Sequence, residues 1–199
     1  MNYVHPEPRP WRIKSHPLVP GEMIVTVVDR LGMPVWWPNL FHVFELRDAG
    51  RSYATQKRTM SAIATAFNWA AERDIDLEAR IESFEFLDYA ETKALQARLQ
   101  INILEAKAGN DRIVGNGYWD SRCRAVRDYL RWRAAEAMHR LERRDAEHLG
   151  GLLHRAAGEG LNRFCEDLVS GIGPDTKFDA YGLDPDEQAA LLFAITPGS

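Results

Sequence analysis

The segment from Ser52 to Arg73, SYATQKRTMSAIATAFNWAAER, constrains the fold more than any other stretch of the chain. Its apolar residues recur at helical spacing and form one continuous face: Met60, Ile63, Ala64, Phe67, Ala70 and Ala71. A second face carries Lys57, Ser61, Thr65 and Asn68. This pattern predicts an amphipathic helix that packs on one side and leaves the other side free to bind.

Three cations lie at the beginning of this helix, namely Arg51, Lys57 and Arg58. The helix dipole disfavours positive charge there by roughly a few tenths of a kcal/mol. Helix stability therefore does not explain these residues, and a phosphate backbone is one candidate partner.

A second amphipathic pattern begins at Asp120 or Ser121 and continues to about Glu147. Its predicted core stripe contains Val126, Leu130, Ala134, Ala137 and Leu141. An adjacent stripe is basic and contains Arg124, Arg127 and Arg131. Because each of the two helices has one apolar stripe that needs cover, we expect them to pack together through Phe67, Ile63, Val126 and Leu130.

The sequence before these helices predicts an extended arm and a hairpin. Residues 1–21 hold five of the ten prolines and are expected to be extended. Residues 22–37 predict a β-hairpin with strands at Met23 to Val28 and Val35 to Trp37, joined by a turn containing Gly32. Pro38 and Asn39 then open a short helix that ends at Gly50.

The remaining segments also favour helices. An acidic connector with about one helical turn follows Asp74, and a third helix is predicted from Tyr89 to Ala108. We expect residues 38–147 to form one helical domain and residues 148–199 a helical extension, with a last short helix from Asp184 or Pro185. The predicted fold class is therefore mainly α, with a short hairpin and a Pro-rich arm in front.

Composition excludes several classes of protein. A net charge of -4 argues against a uniformly basic nucleic-acid coat protein, although a global sum hides local segregation of charge. Cys123 and Cys165 make no disulfide framework or zinc spacing, and no apolar run is long enough for a membrane span or signal peptide. We expect a cytoplasmic chain with reduced thiols and no membrane partner.

Catalytic signatures are absent from the sequence. The six histidines do not combine with cysteine or carboxylate at a metal-ligand spacing, and no GxSxG, P-loop or GxGxxG motif occurs. The sequence thus predicts no catalytic residue, no metal site and no cofactor. Cations beside serine, threonine and asparagine suit a DNA groove, yet the same charges also suit a solvated helix face.

The order of motifs resembles the amino-terminal half of tyrosine recombinases of the phage integrase family. The similar segments are PNLFHVFELRDAGRSYATQKRTMSAIATAFNWAAERDIDLEARI, then RCRAVRDYLRWRAAEAM, then YGLDPDEQAALLFAITPGS. In that family, a helix of the form T......L..F..W....gidL and a later R...V..YL.W helix belong to the core-binding domain, a SAM-like helical module that grips one face of the recombination site. The matching positions are Thr55, Ile63, Phe67, Trp69, Ile75, Asp76, Leu77, Arg122, Val126, Tyr129, Leu130 and Trp132.

The resemblance ends before the family's catalytic half, which carries two arginines, a lysine, histidines and a nucleophilic tyrosine. That half normally follows a segment like the one that ends here at Ile195, Thr196 and Pro197. The resemblance therefore implies a chain that binds DNA and does not cut it. Full-length relatives break and rejoin DNA through a covalent tyrosine intermediate.

The partner that the resemblance implies is the double-stranded DNA of a recombination site, and a homo-oligomer in a synaptic complex is left open. The predicted DNA contacts are Arg51, Thr55, Lys57, Arg58, Ser61, Thr65, Arg122, Arg124, Arg127 and Arg131. An alternative from another class also stays open. The chain could be an all-helical protein-interaction or regulatory module whose arginines pair with acidic partners or with its own carboxylates.

Overall fold

The computed structural model of the chain describes residues 10–19, 21–101, 113–145 and 152–172. Two strands come first, β1 (Arg12–Val19) and β2 (Glu22–Val28), followed by helix α1 (Trp36–Phe41), which continues as a π-helix (His42–Arg47). The later helices are α2 (Tyr53–Ala71), α3 (Leu77–Ser83), α4 (Tyr89–Gln100), α5 (Asn116–Asp145) and α6 (Leu152–Val169). The prediction of a mainly helical chain with a short hairpin near its beginning is confirmed.

The hairpin uses a different pair of strands from the predicted pair. β2 pairs antiparallel with β1, from Arg12 opposite Val28 to Pro17 opposite Met23, so the first strand lies in the segment predicted as an extended arm. Pro17 is accommodated because β1 is an edge strand with an irregularity after that residue. The predicted strand from Val35 to Trp37 is wrong, since α1 begins at Trp36.

The Asn39 side chain binds β2 and the chain just before α1. Its amide accepts a hydrogen bond from the Val27 N–H at 2.8 Å and donates to the Val27 carbonyl at 2.9 Å. The same amide nitrogen donates to the Val35 carbonyl at 2.8 Å. The side chain thus takes hydrogen-bonding positions on β2 that a longer neighbouring strand would use.

Helix α2 lies at the centre of the fold. Every residue from Ala62 to Ala70 is buried, so the second half of the helix is covered on all sides. Asn68, which the sequence placed on a free polar face, instead exchanges hydrogen bonds with the backbone of Trp11 at 3.2 and 2.8 Å. The expectation of one open side is therefore wrong for this half of the helix.

The predicted packing of α2 against α5 is confirmed. Ile63, Phe67, Val126 and Leu130 are all buried in one hydrophobic core. Within it, the Phe67 ring lies 5.9 Å from the Tyr129 ring, measured between centroids. The two longest amphipathic patterns thus cover each other's apolar stripes.

Helix α4 ties α5 and α6 together through backbone groups. The Gln96 carbonyl accepts a hydrogen bond from the Trp119 indole at 2.9 Å. The Gln96 side-chain amide donates to the Leu168 carbonyl at 2.7 Å, and so gives a hydrogen-bond partner to a carbonyl at the end of α6.

Helix α4 ends at Gln100 rather than near Ala108, because Ile101 is extended and bridges Ile113. The predicted last helix from Asp184 lies outside the described residues.

Candidate nucleic-acid interface

A groove of about 480 Å³ lies between the beginning of α2, the π-helix and α5. Four of the predicted contact residues line it: Arg51, Thr55 and Arg58 from the α2 side, and Arg124 from α5. Phe41, Leu46 and Trp132 contribute apolar surface to the same lining. The fold therefore brings together cations and a hydroxyl from two helices that are distant in sequence.

Local hydrogen bonds fix the beginning of α2 beside this groove. The Ser52 side chain accepts from the Thr55 N–H at 3.3 Å and caps the helix. The Gln56 amide donates to the Arg51 carbonyl at 2.7 Å, and its oxygen lies 2.8 Å from His42 Nε2. Because the amide nitrogen already donates, its oxygen accepts from the His42 ring.

His42 is a buried core residue rather than a surface histidine. Burial lowers its pKa, and the nearby charge of Arg47 acts in the same direction, while the Gln56 hydrogen bond opposes them. A neutral ring that donates to Gln56 fits this environment. His42 therefore serves to hold Gln56, and through it the chain at Arg51, in place.

Carboxylates are also present in the groove lining, namely Glu45, Asp120 and Asp128. Arg124 Nε lies 2.7 Å from an Asp120 oxygen, and this hydrogen bond and the carboxylate charge raise the pKa of Arg124. Arg127 Nη2 lies 2.7 Å from an Asp128 oxygen. Two of the three carboxylates are thus engaged by arginines of α5 itself.

Lys57 and Ser61 lie next to this groove on α2 but outside its lining. Lys57 is exposed and Ser61 is half-buried. Lys57 can therefore extend the positive surface formed by Arg51 and Arg58.

Two predicted contact residues are inside the protein, which corrects their expected exposure. Arg122 is buried, and its Nη1 donates to the Ile101 carbonyl at 2.9 Å while its Nη2 lies 3.4 Å from the Thr65 hydroxyl. The buried Thr65 hydroxyl itself donates to the Ser61 carbonyl at 2.8 Å. Arg122 thus joins α5 to α2 and to the end of α4, and neither residue reaches the surface.

Arg127 and Arg131 lie on the other side of α5, towards α6. Arg131 Nη2 is 3.4 Å from the Asn162 amide oxygen on α6. Burial raises the pKa of the Cys165 thiol, and the charges of Arg131 and Arg127 oppose that rise. The predicted basic stripe of α5 is therefore divided, because only Arg124 lines the groove.

A charge cluster around the buried Arg133 is not among the features predicted from the sequence. The Arg133 side chain is 1% exposed, its Nε lies 2.9 Å from Glu78 Oε2, and its Nη2 is paired with Glu82. Its guanidinium lies 3.9 Å from the Trp37 ring centroid, and Tyr129 donates to Glu78 at 2.7 Å. The signal was available, because Arg133 falls on the core stripe of α5, three residues after Leu130.

A metal-binding cluster and a membrane-spanning helix are both absent from the described ranges. Those residues contain no group of three histidine, cysteine or acidic side chains that could hold a metal ion. No helix among them is both long and apolar enough to cross a bilayer.

Cys123 and Cys165 are free and buried, and burial raises the pKa of Cys123 to about 12. Neither thiol is therefore poised to act as a nucleophile.

Comparisons with protein-family models, curated proteins and solved structures find no match to this chain. A functional assignment therefore depends on the geometry of the groove and on the motif resemblance described above.

Proposed function

We propose that this chain is the DNA-binding amino-terminal half of a site-specific tyrosine recombinase of the phage integrase type. In this proposal it is a SAM-like helical module that binds double-stranded DNA of a recombination site in the cytoplasm. The observation that carries the proposal is the convergence of Arg51, Thr55 and Arg58 with Arg124 on one groove.

The chemistry of this groove suits a phosphate backbone. Arginines donate charge-assisted hydrogen bonds to phosphate oxygens, and the hydroxyl of Thr55 can donate beside them. The groove also adjoins the amino-terminal end of α2, where the helix dipole favours an anion. A bound phosphate would offset the unfavourable placement of cations at that helix end.

The charge balance locates the proposed contact on the α2 side. Asp120 and Asp128 are engaged by Arg124 and Arg127, whereas Arg51, Lys57 and Arg58 have no acidic partner in the described part of the chain. The exposed Arg124–Asp120 pair is worth at most about 1 kcal/mol, so a phosphate can compete for Arg124.

The residues that carry the family resemblance support the helical arrangement rather than the contact itself. Ile63, Phe67, Val126 and Leu130 are core residues, and the Asp76 side chain caps α3 by accepting from the Ala79 N–H at 3.0 Å. A pattern that specifies a core leaves the surface free to vary. DNA contacts therefore have to be tested residue by residue.

The decisive experiment measures affinity for mixed-sequence duplex DNA over a series of salt concentrations by fluorescence anisotropy. Arg58→Ala and Lys57→Ala should each weaken binding and reduce the slope of log affinity against log salt by roughly 0.9. Arg163→Ala is the matched control, because it removes the same charge from an exposed position on α6.

Two results would overturn the proposal. One is affinity that changes little with salt, which would favour the protein-interaction alternative because counterion release would be absent. The other is an Arg163→Ala variant that binds as weakly as Arg58→Ala, since the effect would then follow net charge and not this groove.

A further inference from the structure

A second pocket, of about 400 Å³, lies at the opposite end of α2. Phe67, Ala70 and Ala71 from α2 line it together with Trp11 and Val35. Thr55 in the first groove and Ala71 in this pocket are separated by roughly 24 Å along the helix axis. The pocket is therefore distinct from the proposed DNA contact.

The walls of this pocket are acidic. Asp74, Asp76 and Glu78 line it, and the described lining contains no lysine, arginine or histidine. Asp76 and Glu78 already accept hydrogen bonds from the protein, Asp76 from Ala79 and Glu78 from Tyr129 and Arg133. Asp74 is exposed and has a positive φ of 57°, and its carboxylate makes no hydrogen bond or ion pair with other described residues. An apolar and positively charged group is the complementary occupant.

The same chain presents a group of that kind next to the pocket. Leu31 is 88% exposed, Met33 61% and Trp36 69%, and we call these three residues the apolar knob. Arg30 is exposed within the same turn, and Lys14 Nζ lies close to Gly32. Neighbouring large apolar side chains at such exposure mark an interaction surface.

The turn that carries the knob is held in shape. The Asp29 carboxylate accepts from the Met33 N–H at 2.8 Å, and the Asp29 N–H donates to the Met33 carbonyl at 2.9 Å. Gly32 supplies the φ of 85° that the turn requires. Little conformational freedom is left to lose when this turn binds, which favours association.

We propose that the apolar knob of one copy of this chain enters the acidic pocket of a second copy, reciprocally about a two-fold axis. Val35 lines the pocket and lies between Met33 and Trp36 in the sequence, so the knob adjoins the pocket. A face that carries both complementary parts side by side can pair with itself and close as a dimer. Arg30 then approaches Asp74 of the other copy, which gives the exposed carboxylate a partner.

Sedimentation velocity without DNA tests the proposal over micromolar to millimolar protein. The chain should dimerise, and Met33→Glu should weaken dimerisation roughly tenfold per knob, hence about a hundredfold per dimer. Phe44→Glu is the matched control, because Phe44 is 55% exposed on the π-helix and lies outside both knob and pocket. It should leave the dimerisation constant unchanged.

Charge exchange identifies the contact. Arg30→Glu and Asp74→Lys should each weaken self-association, whereas an equimolar mixture of the two variants should form a heterodimer with both contacts attractive. Circular dichroism checks that Asp74→Lys, at a positive φ, remains folded, and Arg30→Glu tests the same contact from an unstrained position. A chain that stays monomeric at millimolar concentration, or a dimer insensitive to Met33→Glu, overturns the proposal and leaves DNA binding by the other groove unaffected.

Discussion

Replacing Arg133 by methionine tests how much of the stability of this fold comes from one buried cation. Methionine keeps an unbranched apolar stem but removes the guanidinium with its charge and its hydrogen bonds. Glu78 and Glu82 would then lose their shared partner, and Trp37 would lose the guanidinium that lies 3.9 Å from its ring centroid.

The expected magnitude follows from burial. Removing one partner of a buried pair costs about 3–5 kcal/mol, because the other charge stays desolvated without compensation. Glu78 keeps 27% of its side chain exposed, so we expect a value at the lower end of that range at pH 7. Loss of the contact with Trp37 acts in the same direction.

The cost should depend on pH, with a sign fixed by two carboxyls. Burial raises the pKa of Glu78, and hydrogen bonds from Tyr129 and Arg133 partly oppose this rise. Without Arg133 the pKa of Glu78 rises further, so protonation of Glu78 at acidic pH removes part of the destabilisation of the variant.

Burial alone would raise the pKa of Glu82, but Arg133 and Arg140 outweigh it and lower that pKa. The stabilisation from Glu82 is present above its unfolded pKa and is lost as pH falls through its lowered folded pKa. Both effects make the difference in free energy of unfolding between wild type and variant smaller at acidic pH.

Urea unfolding followed by tryptophan fluorescence, at pH 7 and at about pH 5, measures this difference. Arg131→Met is the matched control on α5, and because Arg131 is exposed we expect a change within about 0.5 kcal/mol. The double variant Glu78→Leu/Arg133→Met should recover part of the loss, since no buried carboxylate then lacks a partner. A cost for Arg133→Met below about 1 kcal/mol, or one equal at both pH values, would refute this reasoning.

Three further changes test the packing and the caps by the same unfolding measurement. Phe67→Ala should cost about 3–5 kcal/mol, because the ring is buried between Trp11 and Tyr129, and a cost below about 1 kcal/mol would contradict its place in the core. Asn39→Ala should cost about 1–3 kcal/mol, since backbone groups of β2 lose their partners, and an unchanged midpoint would show that water replaces the amide. Asp88→Ala removes one half of a capping box with Glu91 and should cost about 1 kcal/mol, and an unchanged midpoint would contradict the role of this cap.

The core could be predicted from the sequence because periodicity reports directly on burial. Ile63 and Phe67 on α2, and Val126 and Leu130 on α5, recur at helical spacing, and they meet in the structure. Such a pattern identifies an apolar stripe whichever partner covers it. The polar face of α2 could not be predicted in the same way, since Asn68 is buried by its hydrogen bonds with the Trp11 backbone.

The candidate site could be predicted only in part, because charge has no period that separates surface from interior. Arg122, Arg124 and Arg127 look alike in the sequence, yet Arg122 turns inward to the Ile101 carbonyl and Arg127 pairs with Asp128. Which arginines share a groove depends on where a carbonyl or a carboxylate of another segment lies. Arg124 meets Arg58 only because α2 and α5 cross beside the π-helix.

The uneven burial of α2 has a consequence for hydrogen exchange. Amides from Ala62 to Ala70 lie in a segment that the protein covers completely, so their exchange requires opening of the whole fold. Amides in the first turn, held by the Ser52 cap and open to solvent, can exchange through local fraying. A ligand bound beside Arg58 should therefore slow exchange most at the first turn. One helix can thus report separately on occupancy of the groove and on global stability.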